Sequence, residues 1–353
     1  MRDPAAYDQQ TCRIHDCSSD DADPPDLRAH GFAHADISKM HRLQAALARI
    51  RAAGRITDAD ATAVRRSLLG RSLPLSGGAR LRPLFIAREG FFMRRAGPNG
   101  HPIHGDAKRL GMNDHDAAMA VHADQDVAGT PLRQILRGAA PWLFHHDSPD
   151  RSNASSRLFL VNLWIPLEQT TRPLALMDRR TLDRRAHQLR YGLPTDSFLR
   201  RREDMRVNDI WTFLHDPAQR WYFTSNMTTD TAYVFETLST PHGSFILPGE
   251  AHAESLYKLL VAAVAAVQSR DEPAATRALF TPIDAPRHEP ATVPLRRAIA
   301  AMRSVIAAGQ TNITALCQGH GAAQWCAQAT EAAERVVRKS LEMRAVAVLT
   351  RSA

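Results

Sequence analysis

The 353-residue sequence contains few cysteines, few aromatic residues and no long apolar run. Four cysteines do not form a disulfide framework for a chain of this length, so we expect a reducing, cytoplasmic compartment. The longest apolar stretch, Leu259–Val267, is far shorter than the roughly 18 residues that indicate a membrane-spanning helix. The start, MRDPAAYDQQ, lacks the basic and then apolar pattern of a signal peptide. The composition is therefore that of a soluble globular protein with no membrane partner.

Lysine is scarce as well, because only four of the 45 basic residues are lysines and the others are arginines. The net charge of +8 is compatible with a polyanionic partner. However, acidic residues interrupt the arginines, and no aromatic residues are interleaved with them as in many nucleic-acid-binding surfaces, which disfavours nucleic acid. A basic module for nucleic acid or an acidic partner stays open as an alternative, on a C-terminal surface with Arg296, Arg297, Arg303, Arg335, Arg338 and Lys339.

The pattern along the chain changes from helical to strand-like and back to helical. Residues 1–36 show no periodicity and are predicted to be a flexible or loosely docked arm, and residues 37–75 are predicted to be helical. Short apolar segments between turn residues predict an α+β fold with a sheet-based core over 76–258. Residues 259–353 are predicted to be a helical extension that packs on this core or forms a homodimer face, with helix extending to Leu349.

A histidine and an aspartate two residues apart follow one strand-like segment, Ala118–Val121. In an extended chain, residues i and i+2 point to the same side, so His122 and Asp124 can offer two ligands to one metal ion. A distant second histidine would complete the facial triad of non-haem Fe(II) oxygenases. The motif alone is weak evidence, since the chain has 16 histidines and His145 with Asp147 repeats the spacing in a loop-like context.

The segments that follow His122 make the pattern more specific. Taken in order, they resemble the CmcJ/AsaB-like hydroxylase and desaturase family, which shows an HxD segment followed by N-x-W-R-P, P-L-A-x-x-D, W-Y-x-P and P-H-t-a-F segments. The resemblance spans about residues 118 to 256. The matching stretches here are Asn162-Leu163-Trp164-Ile165-Pro166, Pro173-Leu174-Ala175-Leu176-Met177-Asp178, Arg220-Trp221-Tyr222-Phe223 and Pro241-His242-Gly243-Ser244-Phe245.

The resemblance implies a double-stranded β-helix (jelly-roll or cupin-like) core flanked by N- and C-terminal helices. It also implies that His122, Asp124 and His242 hold Fe(II), with 2-oxoglutarate and O2 as cosubstrates. The activity implied is hydroxylation, desaturation or related C–H oxidation of a small molecule of specialised metabolism. Asn162 is expected beside the cosubstrate, and Trp164 and Trp221 are expected to line the substrate pocket.

Two arginines of the family pattern are missing here. Ile165 replaces the arginine of N-x-W-R-P, and the stretch where an arginine would bind the distal carboxylate of 2-oxoglutarate contains none. A buried carboxylate needs a cation or several strong donors. We therefore expect Lys258 to bind it, with His252 and Ser255 as further candidates. If Lys258 and His252 do not face the pocket, either an arginine from elsewhere in the chain binds the carboxylate or the enzyme does not depend on 2-oxoglutarate. A Zn2+-dependent hydrolase that uses the same His/Asp cluster stays open as an alternative activity.

Overall fold

The computed structural model describes residues 8–19, 23–88, 90–103, 111–113, 115–194, 207–284 and 288–351. Its strands in chain order are β1 (Ile14–Asp16), β2 (Phe32–Asp36), β3 (Leu73–Pro74), β4 (Ala79–Ile86), β5 (Phe92–Ala96), β6 (His122–Ala123), β7 (Leu158–Pro166), β8 (Ala175–Met177), β9 (Gln188–Pro194), β10 (Val207–Phe213), β11 (Trp221–Phe223), β12 (Thr231–Glu236), β13 (His242–Gly243) and β14 (Arg338–Arg351). Its α-helices are α1 (Leu27–His30), α2 (His41–Ala53), α3 (Asp58–Leu68), α4 (Thr130–Ile135), α5 (Ala140–Leu143), α6 (Arg184–His187), α7 (Glu250–Gln268), α8 (Glu272–Phe280), α9 (Val293–Cys317) and α10 (Ala322–Glu334).

Within these residues the strands form two sheets. Sheet I has the order β1-β11-β8-β13-β6-β10-β9, and sheet II has the order β2-β12-β7-β14-β4-β3, with β5 paired to the first half of β14. The inner faces of the two sheets pack together, because Trp164, Tyr233 and Phe235 of sheet II share one apolar cluster with Leu176 of sheet I. This arrangement confirms the predicted double-stranded β-helix core with flanking helices.

The outer face of sheet II carries the largest apolar core. Alternate residues of β7, β12 and β14 pack there against the predicted N-terminal helices α2 and α3. Helix α3 begins with a capping box, in which the Thr57 hydroxyl accepts from the Asp60 amide and the Asp60 carboxylate accepts from the Thr57 amide. The helices α7, α8, α9 and α10 form a separate apolar cluster. No helix in the described ranges is both long enough and apolar enough to cross a membrane.

Two expectations about the chain ends need correction. Residues 8–19 and 23–36 of the predicted flexible arm supply the helix α1 and the strands β1 and β2, which are edge strands of sheets I and II. Residues 1–7 and 20–22 lie outside the described residues. The helix predicted to extend to Leu349 ends at Glu334, and β14 follows it. Here Leu341, Met343, Ala345, Ala347 and Leu349 alternate with residues that face sheet I, so the period is that of a strand.

The long strand β14 is central to sheet II. It pairs with β7 over Ser340–Val348 on one side, and with β5 and then β4 on the other. The jelly-roll core therefore includes a strand from the C-terminal region, separated from β13 by four helices of the described chain. Consequently, the core does not end at residue 258 as the sequence predicts.

Candidate metal centre

His122, Asp124 and His242 meet on the inner face of sheet I. His122 of β6 and His242 of β13 are register partners in neighbouring strands, and their ring centroids lie 4.5 Å apart. Asp124 follows β6 directly, as expected for two residues that point to the same side. Potential ligand atoms of the three residues all lie within 4.8 Å of one another. The sheet therefore brings together two segments 118 residues apart in the sequence.

Both imidazoles are fixed by the backbone. His122 Nδ1 lies 2.8 Å from the Ala120 carbonyl oxygen, and His242 Nδ1 lies 3.1 Å from the Thr240 carbonyl oxygen. A carbonyl only accepts, so each Nδ1 carries the proton and each Nε2 keeps its lone pair. These Nε2 atoms lie 3.6 Å and 3.9 Å from the two carboxylate oxygens of Asp124. This is the arrangement in which histidines bind a metal ion through Nε2.

The protonation of the cluster also suits metal binding. Burial lowers the pKa of His242 to about 4, and the neighbouring His122 acts in the same direction. Burial raises the pKa of Asp124, but Arg344 and the two histidines outweigh it and hold this pKa well below its usual range. At neutral pH the cluster therefore offers a neutral His242 and a carboxylate, the forms that bind metals.

Asp124 is held by side chains from sheet II. Arg344 Nη2 lies 2.9 Å from Asp124 Oδ1, and Asn162 Nδ2 donates to Asp124 Oδ2. The Asn162 amide oxygen accepts from the Thr237 hydroxyl at 2.9 Å, which fixes the orientation of the amide. Asn162 thus contacts the carboxylate of the cluster. Its predicted contact with the cosubstrate stays a prediction.

The two tryptophans predicted to line the pocket lie on different faces, with Trp164 between the sheets and Trp221 on the outer side of sheet I. Trp164 is fully buried and packs at a ring distance of 5.5 Å from Tyr233, inside the apolar cluster between the sheets. Trp221 packs with Met177 and Leu182 on the outer face of sheet I, whereas Leu176 and His242 lie on the inner face. The alternation of β11 therefore turns Trp221 away from the metal cluster.

The three residues predicted to bind the distal carboxylate all lie on α7 and have other partners. Lys258 is more than half exposed and pairs with Glu254 at 2.6 Å. His252 contacts Arg303 and the Asp284 carbonyl, and the Ser255 hydroxyl donates to the Ala251 carbonyl of its own helix. The structure does not bring these side chains to the metal cluster. Helix α7 packs in the helical cluster outside the sheets, and the expected role of these residues stays a prediction that the structure does not favour.

A buried cation that the sequence interpretation did not identify as a ligand for the cosubstrate lies on β14. The Arg338 guanidinium donates to the Ser244 hydroxyl at 2.8 Å, and its carbon Cζ lies 5.9 Å from the centre of the Trp164 ring. Ser244 stands two residues after His242 and so on the same side of the chain. Burial, together with the nearby Arg172, lowers the pKa of Arg338 to about 9. The alternation of apolar and charged residues in Leu341-Glu342-Met343-Arg344 is the signal that would have placed this segment, and with it Arg338, in a strand.

Two buried donors at the beginning of β14 have no hydrogen-bond partner among the described residues. They are Arg338 Nε and the hydroxyl of the fully buried Ser340, two residues further along β14. A buried donor without a partner is costly, and such groups accumulate at ligand sites. The pair fits an anion such as a carboxylate.

The structure does not support the second His-x-Asp pair as a metal site or the predicted basic residues as one continuous surface. His145 is buried against Glu236 at 3.1 Å, while Asp147 pairs with Arg184, so this second histidine and aspartate do not converge on one point. In the predicted basic surface, Arg338 is buried, Arg335 pairs with Glu331, and Lys339 pairs with Glu168 and Glu334. The structure therefore removes Arg338 from that surface and gives Arg335 and Lys339 acidic partners.

A double-stranded β-helix with two histidines and one aspartate on its inner face defines a jelly-roll protein with a candidate facial metal site. Residues 93–253 match the family model of the oxidoreductase/YMDC permease-like domain. A curated relative, the hydroxylase/desaturase efuI of Hormonema carpetanum, is 29% identical over 162 residues, which are 41% of this chain and 51% of efuI. The chain therefore spans about half the length of that relative. This similarity to a hydroxylase/desaturase is consistent with the resemblance to the CmcJ/AsaB-like family.

Solved structures show similarity over most of the chain. One structure of the iron and alpha-ketoglutarate-dependent endoperoxidase NvfI aligns with a TM-score of 0.47 and 16% identity, covering 97% of this chain and 84% of NvfI. A second NvfI structure aligns with a TM-score of 0.41 and 15% identity, covering 95% of this chain and 84% of NvfI.

Proposed function

We propose that the protein is an Fe(II)/2-oxoglutarate-dependent oxygenase that hydroxylates, desaturates or otherwise oxidises a C–H bond in a small molecule of specialised metabolism. The observation that carries the proposal is the orientation of the two imidazoles. Each holds its Nδ1 on a backbone carbonyl and presents its Nε2 toward Asp124. Two histidines and one carboxylate on one side of the ion are the donor set of non-haem Fe(II) oxygenases, which leaves the other positions open.

The donor chemistry fits iron and 2-oxoglutarate together. His122, Asp124 and His242 would hold the iron, which supplies the activation of O2 when it is bound. Arg338 and Ser340 would bind the distal carboxylate. Their buried donors, Arg338 Nε and the Ser340 hydroxyl, have no acceptor among the described protein atoms, and a carboxylate would supply one. The apolar cluster of Trp164, Tyr233 and Phe235 borders this region and would exclude water from it.

The relative supports the same chemistry, since efuI is named a hydroxylase/desaturase. The matched family region, residues 93–253, contains all three proposed ligands but ends before β14. The proposed location is the cytoplasm, which the four free cysteine thiols support. A homodimer formed through the C-terminal helices stays a prediction.

The proposal is tested by turnover of 2-oxoglutarate. Purified protein with Fe(II) should convert 2-oxoglutarate to succinate slowly alone and faster with candidate small-molecule extracts. Asp124→Ala should reduce this turnover at least about 100-fold, because it removes an ion ligand and leaves the cluster with two neutral donors. Asp147→Ala, which changes the aspartate of the second His-x-Asp pair, serves as the matched control and should retain turnover.

Metal analysis of protein purified without oxygen separates the oxygenase from the hydrolase. Iron that supports succinate formation is the expected result. Activity that depends on zinc, or undiminished succinate formation by Asp124→Ala, would overturn the proposal.

A further inference from the structure

The carboxylate of Asp124 contacts two donors that come from one rung of sheet II. Arg344 of β14 and Asn162 of β7 are register partners in neighbouring strands. Arg344 reaches Oδ1, and Asn162 donates to Oδ2. The ligand therefore belongs to sheet I, while the groups that orient its two oxygens belong to sheet II.

Arg344 is a donor that cannot itself bind a metal ion. A guanidinium is charged at all relevant pH values and has no lone pair to offer. It can, however, occupy the lone pairs of a carboxylate oxygen with a charge-assisted hydrogen bond. Oδ1 is thus engaged whether or not Asp124 also contacts an ion.

The number of oxygens that Asp124 offers decides how many positions stay open on the ion. A carboxylate with both oxygens available can chelate and then takes two positions, which leaves one fewer for the cosubstrate and O2. Both oxygens of Asp124 accept a hydrogen bond, but the charged Arg344 guanidinium holds Oδ1 more strongly than the neutral Asn162 amide holds Oδ2. This difference favours binding of the ion through Oδ2, and such outer partners orient the ligand. For a reaction that needs three open positions, this difference is functional.

We infer that Arg344 is a positioning residue that makes Asp124 a one-oxygen ligand of the metal. The inference rests on the proposed function, because it presumes a metal ion bound by His122, Asp124 and His242. It goes further by assigning a role to a residue of β14, which lies outside the matched family region. A purely structural ion pair would stabilise the fold without affecting the coordination of the ion.

The experiment titrates the full-length protein with Mn2+, which has an EPR signal and takes the same hard donors as Fe(II). Free Mn2+ reports the Kd, and water-proton relaxation by bound Mn2+ reports the number of bound waters. Arg344→Met should weaken binding about 10- to 100-fold, as expected for the loss of an outer-shell partner. It should also reduce the bound waters from about three toward two, because Asp124 would then chelate.

Two further variants keep the outcome interpretable. Arg82→Met makes the same change at an exposed position of β4 in the same sheet and should leave both Kd and relaxation unchanged. Arg344→Lys keeps the charge but loses the fork-shaped donor, so it should keep the fold and show a smaller loss of affinity in the same direction. If Arg344→Met does not fold, Arg344→Lys decides the question.

The results distinguish this inference from the proposed function. If wild-type protein does not bind Mn2+ or Fe(II), the proposed metal site itself is wrong. If wild-type protein binds the ion and the folded Arg344 variants match its Kd and its bound waters, the metal site stands and the role of Arg344 is refuted.

Discussion

The two faces of β14 have different roles, although their residues alternate along one strand. Leu341, Met343, Ala345 and Ala347 point outward and pack against α2 and α3 in the main apolar core. Arg338, Ser340, Glu342 and Arg344 lie on the other face, toward sheet I. One face therefore contributes to the free energy of unfolding by burying apolar area, while the other holds charges and donors whose burial is costly without partners.

Only part of the polar face of β14 has ionic or hydrogen-bond partners. Glu342 pairs with Arg94 at 2.7 Å, and Arg344 pairs with Asp124 at 2.9 Å, so the centre of the strand has ionic partners. At its beginning, Arg338 Nε and the Ser340 hydroxyl have no partner among the described residues. Buried donors without a partner are retained where a ligand accepts their hydrogen bonds. The outer face of β14 therefore serves the stability of the fold, and its inner face serves the function.

The largest effect is expected on the outer face. Leu341→Ala removes a fully buried side chain and should lower the free energy of unfolding by about 2–5 kcal/mol, measured by urea denaturation. Leu84→Ala changes a leucine of β4 that is about half exposed and should cost far less. Folded Leu341→Ala protein should bind Mn2+ with the wild-type Kd. A large change in that Kd at full folding would show that the faces are not separable.

The inner face should show the opposite behaviour. Arg338→Met should raise the Kd for 2-oxoglutarate about 30- to 100-fold, an effect of about 2–3 kcal/mol, because a buried cation that binds a carboxylate is lost. Lys258→Met is the control, since Lys258 pairs with Glu254 on α7 and should leave the Kd unchanged. Isothermal titration in the presence of Mn2+ measures both.

The thermal stability of the same variant sharpens the contrast. Burial lowers the pKa of Arg338 to about 9, which means that the folded state disfavours this charge. Replacement by an apolar side chain of similar length should therefore leave Tm unchanged or raise it. A marked fall in Tm without any change in 2-oxoglutarate affinity would assign Arg338 to the scaffold.

The sequence predicted one half of the site better than the other for a physical reason. His122 and Asp124 are neighbours in an extended chain, so their common direction follows from local geometry, and the family pattern supplied His242. The contribution of β14 was missed because alanines and leucines of residues 341–349 fit both a helical and a strand period, and alanine favours helix. Its place between β7 and β4 depends on non-local pairing, which no local pattern encodes.

The same reasoning explains why the sequence offers one candidate for the cosubstrate cation and the structure another. A search near the family motif finds Lys258, which is close in sequence to His242 but lies on a helix outside the sheets. Arg338 is 96 residues from His242 in the sequence, yet it contacts Ser244 across the sandwich. Distance in the sequence is therefore a poor guide wherever a sheet closes by a strand from another part of the chain.

The smallest predicted effect concerns the pH dependence of the free energy of unfolding, to which a histidine between the two sheets should contribute. His34 of β2 lies beside Tyr233 at a ring distance of 5.3 Å, and burial lowers its pKa from 6.5 to about 4. The unfolded state therefore binds more protons between these values, so the free energy of unfolding falls as the pH falls from about 6.5 toward 4. From pH 7 to 5.5 the contribution of His34 should be about 1 kcal/mol. His34→Gln should remove it, so that urea denaturation at the two pH values shows a smaller difference in the variant than in wild type. Equal differences would show that His34 takes up its proton in the folded protein as readily as in the unfolded chain, and the inner face would then be less dry at this edge than its packing indicates.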